Sequence, residues 1–253
     1  MRIFGKHSRW IKAIARGLAW AEGMLFPEGV TCLSCGRAPE REMKSGLCEA
    51  CARALDALAL RQEEIEAQDT RPIHDELAYV HAAFTYQDPA KKLIRMVKYQ
   101  RIRSAAEPLI QAMALLPSGE EELIVPVPTT KKRLRERGFN QSLLLAQGIG
   151  RMLGMEAEDV LERVGEQQEQ AGLSREKRLE NLHGCMRAKH RLDGKRILLV
   201  DDVYTTGATA KEAARALLEA GAASVGVFAA ARPLPEEEEP EFLSGGWKKA
   251  HKA

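Results

Sequence analysis

The chain has 253 residues, of which 45% are hydrophobic and 29% are charged, and its formal net charge is +2. A chain of this length can bury a full hydrophobic core and has room for one or two domains. A net charge so near zero excludes a polycation that binds nucleic acid through its overall field, and no run approaches the roughly 20 apolar residues that cross a bilayer. We therefore expect a cytoplasmic protein without a transmembrane segment.

Residues 1–27 have the spacing of an amphipathic helix, because basic side chains are interleaved with apolar ones before Pro27. A secretion signal would instead have an uninterrupted apolar stretch. We expect this helix to pack on the body of the protein, and a peripheral contact with a membrane surface is the alternative. The apolar residues are Trp10, Ile11, Ile14, Leu18 and Trp20.

Residues 28–75 contain two C-x-x-C pairs, Cys32 with Cys35 and Cys48 with Cys51, separated by twelve residues. This pattern is typical of a tetrahedral zinc site in which each pair forms a tight knuckle. Disulfide bonds are the alternative, but nothing in the sequence indicates an oxidising compartment. We predict a small four-cysteine zinc ribbon followed by a helix. The zinc is expected to be structural, because four thiolates leave no coordination position open to water.

A larger domain is predicted for residues 76–234, beginning with a strand at 77–86 and a helix that starts at Pro89. This helix carries a basic run that continues to Arg103. Such a run either forms an ordinary solvated face or contacts phosphate groups and nucleic acid. The next strand begins at Leu123 and is ended by prolines.

Five of the seven residues from Lys131 to Arg137 are basic. They follow directly on the end of a strand, and open parallel sheets bind their ligands beyond the carboxyl ends of the strands. We therefore predict that Lys131 and Arg137 contact a polyanion such as pyrophosphate. Asn140 is expected to cap a helix over residues 141–153.

Two later segments lack a strong apolar period. Residues 167–181 include Gln170 and Arg178 and lie between two core elements, where a mobile lid over the site is expected. The alternative is a solvated loop and helix. Residues 235–253 are expected to form a disordered tail.

The strongest functional signal is the stretch from Arg196 to Thr209. An apolar run of strand length leads to Asp201 and Asp202, and a Thr/Gly loop then opens a helix that ends at Gly221, before another strand at 224–231. Backbone N–H groups at such a helix start can hold a phosphate, and the two carboxylates can accept hydrogen bonds from vicinal hydroxyls. We predict a sugar phosphate as ligand; the alternative is that the acids only cap the next helix. The predicted phosphate contacts are Thr205, Thr206, Gly207, Ala208 and Thr209.

The letters VDDVYTTGAT resemble the phosphoribosyl-pyrophosphate (PRPP) loop of type I phosphoribosyltransferases. Together with the paired C-x-x-C motifs, the PVP-to-RGFNQ stretch and QAGLSR, they make most of residues 24–232 similar to the ComF family of competence-related, phosphoribosyltransferase-like proteins. Gln167 and Met186 depart from the family pattern, which usually has a threonine and an aromatic residue there. The resemblance implies an α/β fold, namely a type I phosphoribosyltransferase-like parallel sheet with flanking helices, plus a small N-terminal four-cysteine zinc ribbon.

The resemblance also implies two alternative functions. In the first, the protein is an enzyme that transfers a phosphoribosyl group to an acceptor that the sequence does not identify. Asp201 and Asp202 then bind the ribose hydroxyls, Mg²⁺ and the basic segment near Lys131 hold the pyrophosphate, and no residue is assigned as catalytic. In the second, a non-catalytic module binds single-stranded DNA or docks other competence proteins during DNA uptake and utilisation.

Overall fold

The computed structural model describes residues 31–38, 43–60, 76–164 and 184–233, and the chain divides into two compact units, Met1–Arg53 and Ala54–Ala253. The predicted amphipathic start, linker, lid and tail lie outside the described residues. The domain boundaries at residues 27, 75 and 234 therefore stay predictions. Among the described helices, none is long and apolar enough to cross a membrane.

The smaller unit is built from tight turns around the cysteines. The Gly36 N–H donates to the Cys32 carbonyl at 2.8 Å, which closes the first turn. Lys44 and Leu47 form an isolated antiparallel bridge, and Ser45 and Gly46 between them both have positive φ. Helix α1 (Glu49–Asp56) begins directly after Cys48. The paired knuckles predicted from the C-x-x-C spacing are thus formed by turns and one helix start.

The larger unit contains six strands and five helices among the described residues. The strands are β1 (Tyr79–Thr85), β2 (Leu123–Pro126), β3 (Leu161–Arg163), β4 (Met186–Ala188), β5 (Arg196–Val203) and β6 (Ser224–Arg232). The helices are α2 (Ala90–Arg95), α3 (Glu107–Met113), α4 (Lys131–Arg137), α5 (Gln141–Leu153) and α6 (Ala208–Glu219). A π-helical turn (Met96–Gln100) continues α2, and a 3₁₀ turn (Arg103–Ala106) precedes α3.

Four strands form one parallel sheet in the order β1-β6-β5-β2. The apolar runs of these strands are buried on both faces, as expected where helices cover a parallel sheet. In the centre, Val125 of β2 pairs with Leu199 of β5, which pairs with Val227 of β6. The carboxyl ends of all four strands therefore lie along one edge of the sheet.

The β5-α6-β6 unit confirms the prediction from the Thr/Gly motif. Helix α6 begins after Gly207 and ends before Gly221, and both glycines have the positive φ that a side chain disfavours. Its inner face packs Ala213, Ala214 and Leu217 into the core with no exposed surface. Strand β5 extends beyond its apolar run to Val203, because both acids stay in extended conformation and Val203 still pairs with β6.

The remaining elements include features that the sequence did not predict and one helix that it did. The basic segment after β2 is a helix, α4, which the Thr130 side chain caps by accepting a hydrogen bond from the Arg133 N–H. The helix that starts after Pro89 changes to the π-helical turn at Met96. Helix α5 has the predicted bounds and its predicted cap, Asn140. The short strands β3 and β4 pair in antiparallel fashion on either side of the undescribed segment 165–183.

Candidate functional site: the carboxyl edge of the sheet

The two predicted acids lie near the end of β5 and are held by neighbouring elements. Asp201 Oδ1 accepts hydrogen bonds from the Ser142 hydroxyl of α5 at 3.0 Å and from the Asp202 N–H at 2.8 Å. Asp202 Oδ2 forms an ion pair with Lys98 Nζ of the π-helical turn at 2.8 Å. Both side chains of this ion pair are largely buried, since 10% of Asp202 and 18% of Lys98 is exposed. The acids are thus connected to two elements that come before them in the chain.

The Asp201 carboxyl group has an unusual protonation equilibrium. Burial and the adjacent charge of Asp202 raise its pKa from 3.8 to about 7, against the opposing effects of the Asp202 N–H, Lys98 and the Ser142 hydroxyl. A carboxyl group with this pKa exchanges its proton near neutral pH. Asp201 is therefore only partly charged under conditions in which an ordinary surface aspartate is fully ionised.

The Thr/Gly loop stays open to solvent beside the acids. Thr205 and Thr206 are exposed and Thr209 is partly exposed, whereas Gly207 and Ala208, where α6 begins, are buried. The Thr206 hydroxyl accepts a weak hydrogen bond from the Ala208 N–H at 3.4 Å. Gly207 adopts a left-handed conformation with φ of 77° at the start of the helix. The residues predicted to hold a phosphate therefore form an accessible turn at a helix N-terminus.

A cavity of about 310 Å³ brings together the two basic segments that the sequence presents separately. Its walls come from the end of the π-helical turn and from α4. Lys131 is exposed at the N-terminal end of α4 and does not line this cavity. The lining residues are Lys98, Tyr99, Arg101, Arg133, Glu136 and Arg137.

Arg137 is fixed inside this cationic cavity. The residue is buried, its guanidinium lies 5.1 Å from the centre of the Tyr99 ring, and its Nη1 donates to Gln141 Oε1 at 3.0 Å. Tyr99 itself is 67% exposed. The Arg101 guanidinium donates to the backbone carbonyl of Glu136, which connects the two walls. Arg137 therefore stabilises the position of Tyr99 and also contributes positive charge to the cavity.

Sequence reasoning missed two residues of this edge. Ser142 binds Asp201, as described above, and the RGFNQ motif that precedes it gave no sign of that contact. Arg163, at the end of β3, donates from Nε to the Pro128 carbonyl at 3.0 Å. Burial and the nearby charge of Arg133 lower the Arg163 pKa, while Cys185 and Asp201 raise it. A strand of three residues is too short to show an alternating pattern, so the sequence does not single out Arg163.

Gln170 and Arg178, two of the predicted contacts, lie outside the described residues.

The four N-terminal cysteines converge as their spacing predicted. Their sulfur atoms all lie within 4.8 Å of one another, and Cys35 Sγ is 3.8 Å from Cys48 Sγ. A tetrahedral zinc ion with Zn–S bonds of about 2.3 Å has sulfur atoms about 3.8 Å apart. The Cys48 N–H donates to Cys32 Sγ at 3.4 Å, and all four residues are free thiols in the structure. The donor set therefore fits a metal such as zinc.

Comparison with known proteins agrees with this architecture. A family model described as "Phosphoribosyl transferase domain" matches residues 141–251. The competence protein ComFC of Bacillus subtilis is 31% identical over 215 residues, which cover 81% of this chain and 85% of that protein. The chain belongs to the ComF family. The DNA utilization protein YhgH of Escherichia coli is 34% identical to this ComF protein over 162 residues, covering 59% of this chain and 70% of that one. Competence protein F of Haemophilus influenzae is 36% identical over 115 residues, which are 44% of this chain and 50% of that one.

Among solved structures, the glutamine PRPP amidotransferase of B. subtilis matches with 24% identity and a TM-score of 0.38. The match covers 51% of this ComF protein and 26% of the amidotransferase chain. The parallel sheet with flanking helices, the phosphoribosyltransferase family model and the N-terminal cysteine cluster together confirm the expected fold class.

Proposed function

We propose that this ComF protein binds PRPP or a related sugar phosphate at the carboxyl end of β5 and acts in DNA uptake or utilisation. One observation carries the proposal: two adjacent acids near the end of a central strand are followed at once by an exposed Thr/Gly turn that opens α6. Such a turn suits an anion and the acids suit hydroxyl groups, so one ligand with both features fits the pair. The names of the relatives, competence protein and DNA utilization protein, support the biological setting.

In this proposal the parts of the ligand are divided between neighbouring elements. Asp201 and Asp202 accept hydrogen bonds from the ribose hydroxyls, and the turn from Thr205 to Thr209 holds the 5-phosphate. Lys131 and Arg137, at the two ends of the basic helix α4, hold the pyrophosphate. Mg²⁺ supplies further positive charge to the pyrophosphate oxygens when it is bound. Gln170 and Arg178 are proposed to cover the ligand from the segment between β3 and β4.

The same arrangement suits transfer of the phosphoribosyl group to an acceptor. The acceptor nucleophile bonds to the anomeric carbon while the bond from that carbon to the pyrophosphate oxygen breaks. The pyrophosphate leaves with the bonding electron pair, and the acceptor loses its proton to solvent or to a nearby base. The protein contributes by orienting the two reactants and by neutralising the charge that develops on the leaving group.

Calorimetry with PRPP and Mg²⁺, and separately with ribose 5-phosphate, tests the binding proposal. We expect the wild-type protein to bind both ligands. The variant with Asp201→Asn and Asp202→Asn should lose most of this affinity, because an amide oxygen is a weaker acceptor of hydrogen bonds from hydroxyl groups than a carboxylate oxygen. Asp193→Asn is the matched control, since Asp193 is a surface acid with a positive φ that asparagine tolerates. A wild-type protein that binds neither ligand would overturn the proposal.

A second candidate function is binding of single-stranded DNA, and the basic cavity favours it. Arg101 and Arg133 line the same cavity as the exposed Tyr99, so the cavity combines positive charge for the DNA backbone with an aromatic ring for a base. The affinity for a fluorescent oligothymidine should then fall steeply with salt. Tyr99→Ala is expected to cost about 1–3 kcal/mol, and Arg133→Gln should lower the salt dependence.

The control for this DNA experiment is Arg191→Gln, because Arg191 is an exposed arginine that does not line the cavity. It should leave both the affinity and its salt dependence close to those of the wild type. An affinity that salt does not change, or that Arg191→Gln lowers as much as Arg133→Gln does, would contradict this candidate function.

A further inference from the structure

Lys98 connects the acid pair with the basic cavity. Its ammonium group forms the 2.8 Å ion pair with Asp202, and the same side chain lines the cavity beside Tyr99 and Arg101. Only 18% of the Lys98 side chain is exposed, so most of its surface is removed from water. A charged side chain that is buried to this extent normally has a partner of opposite charge. Asp202 is that partner.

The backbone explains why Lys98 points to the acids. Met96 and Val97 anchor the π-helical turn in the core, and Arg101 ends it in a left-handed conformation with φ of 60°. The Arg101 side chain is bonded to α4 through the Glu136 carbonyl. Single π-helical turns within α-helices are uncommon and occur frequently at functional sites. The turn thus holds Lys98 in place from both sides.

Lys98 changes which ligands the acids can accept. Two adjacent carboxylates without compensation carry two negative charges, which favour a divalent cation and repel an anionic ligand. The Lys98 ammonium neutralises one of these two negative charges, that of Asp202. The oxygen atoms of the pair can still accept hydrogen bonds from hydroxyl groups. The raised pKa of Asp201 agrees with this picture, because it reduces the remaining charge further.

We propose that Lys98 is the residue that sets the ligand specificity of the acid pair: it makes the pair a receptor for the hydroxyls of an anionic sugar and prevents it from binding a free divalent cation. This inference rests on the proposed sugar-phosphate function of the same site. The acids and Lys98 act as one unit, in which the ammonium offsets the charge that would otherwise repel the phosphate of the ligand.

The experiment compares wild-type protein with Lys98→Met and Lys98→Arg in two assays. Calorimetry measures the affinity for ribose 5-phosphate, and the electron paramagnetic resonance signal of Mn²⁺ measures metal binding without any sugar. We expect Lys98→Met to bind ribose 5-phosphate at least about tenfold more weakly and to gain Mn²⁺ binding, which a further Asp202→Asn change abolishes. Lys98→Arg should behave like the wild type in both assays, because it keeps the charge.

Lys92→Met is the matched control, since Lys92 is an exposed lysine of α2 that does not line the cavity. Lys98→Gln replaces Lys98→Met if the latter does not fold, because glutamine keeps a polar side chain near Asp202 without the charge. Unchanged ribose 5-phosphate affinity in the uncharged variant, or equal Mn²⁺ binding in that variant and the wild type, overturns the inference.

The two proposals fail in different ways. A wild-type protein that binds neither PRPP with Mg²⁺ nor ribose 5-phosphate refutes the sugar-phosphate function. The Mn²⁺ assay still reports on Lys98 in that case: metal binding gained by Lys98→Met and lost again with Asp202→Asn supports its neutralising role, and no gain refutes it.

Discussion

At the scale of single residues, the chemistry of the site depends on which groups surround each carboxylate. Asp201 contacts a hydroxyl and a backbone N–H, whereas Asp202 contacts an ammonium group. Two neighbouring acids of the same type therefore have different properties, because hydrogen-bond donors from neutral groups compensate a charge less than a cation does. Near neutral pH the Asp201 carboxyl therefore carries a proton more often than an ordinary aspartate does, because its pKa is raised to about 7.

The Asp201 carboxyl should make the stability of the protein depend on pH. Its pKa is about 7 in the folded protein and has its ordinary value of 3.8 in the unfolded chain, so between these values the folded protein keeps a proton that the unfolded chain has lost. The free energy of unfolding therefore falls as the pH rises through this window. Asp201→Asn removes the charge that burial disfavours and should therefore stabilise the protein above pH 7. We expect about 1–2 kcal/mol, less than the full pKa shift implies, because Asp201 is only partly buried and solvent screens its charge.

Urea unfolding of wild type and Asp201→Asn at pH 4 and pH 8 measures this effect. The stabilisation by Asp201→Asn should be present at pH 8 and nearly absent at pH 4, where the wild-type carboxyl is protonated in the folded state. Asp193→Asn, at an exposed position, should leave the pH dependence of stability unchanged. The same difference between wild type and Asp201→Asn at both pH values would show that Asp201 is fully ionised in the folded protein.

At the scale of secondary-structure elements, the predictable parts are those that local patterns define. The apolar run of β5, Gly207 and Gly221 predict the β5-α6-β6 unit, because burial and backbone conformation are properties of the local sequence. The ion pair of Lys98 with Asp202 joins positions more than 100 residues apart, so only the folded sheet can create it. The π-helical turn could not be predicted either, because residues 96–100 contain no local pattern that distinguishes it from an ordinary helix.

Asn140 connects α5 with the residue that follows β2 and supports the position of the acids. Its Oδ1 accepts a hydrogen bond from the Ser142 N–H at 3.1 Å, and its Nδ2 donates to the Val127 carbonyl at 3.0 Å. We expect Asn140→Ala to lower the free energy of unfolding by about 1–2 kcal/mol, because two hydrogen bonds are lost, one of which is the helix cap. It should also weaken ribose 5-phosphate binding, since Ser142 holds Asp201.

Chemical denaturation and calorimetry check this prediction, with Asn140→Asp as the matched variant. Aspartate keeps the cap but has no N–H to donate to Val127, so its loss of stability should be smaller than that of Asn140→Ala. Equal losses of stability for the two variants would mean that the helix cap contributes little and that the hydrogen bond to the Val127 carbonyl accounts for the loss.

At the scale of the whole molecule, the net charge of +2 hides a strong separation of charges. Four cationic side chains and one acid line a single cavity, and two acids lie at the strand end next to it, connected through Lys98. The composition argues against a protein that binds nucleic acid through its overall field, but it contains no information on such local clustering. The two basic segments converge because their strands are neighbours of the same central β5-β6 pair, which is a property of the topology.

The cysteine cluster gives a prediction for the smaller unit, which has few other stabilising features among its described residues. Small units depend on a metal when their apolar core is small, and in this unit Cys32 and Leu47 are the buried hydrophobic residues described. We therefore expect the purified protein to contain one zinc ion per chain. Release of the zinc by a strong chelator should unfold this unit and expose its four thiols to a thiol reagent.

Zinc content by atomic absorption and thiol reactivity before and after chelation measure the outcome. Cys48→Ser should remove most of the zinc, because a neutral hydroxyl is a far weaker ligand than a thiolate. Cys185→Ser is the matched control: Cys185 is a buried thiol of the larger unit beside Arg163, so its loss should leave the zinc content at one per chain. If chelation leaves the thiols as protected as before, the cysteines are held by packing and not by a metal, and the zinc is not structural.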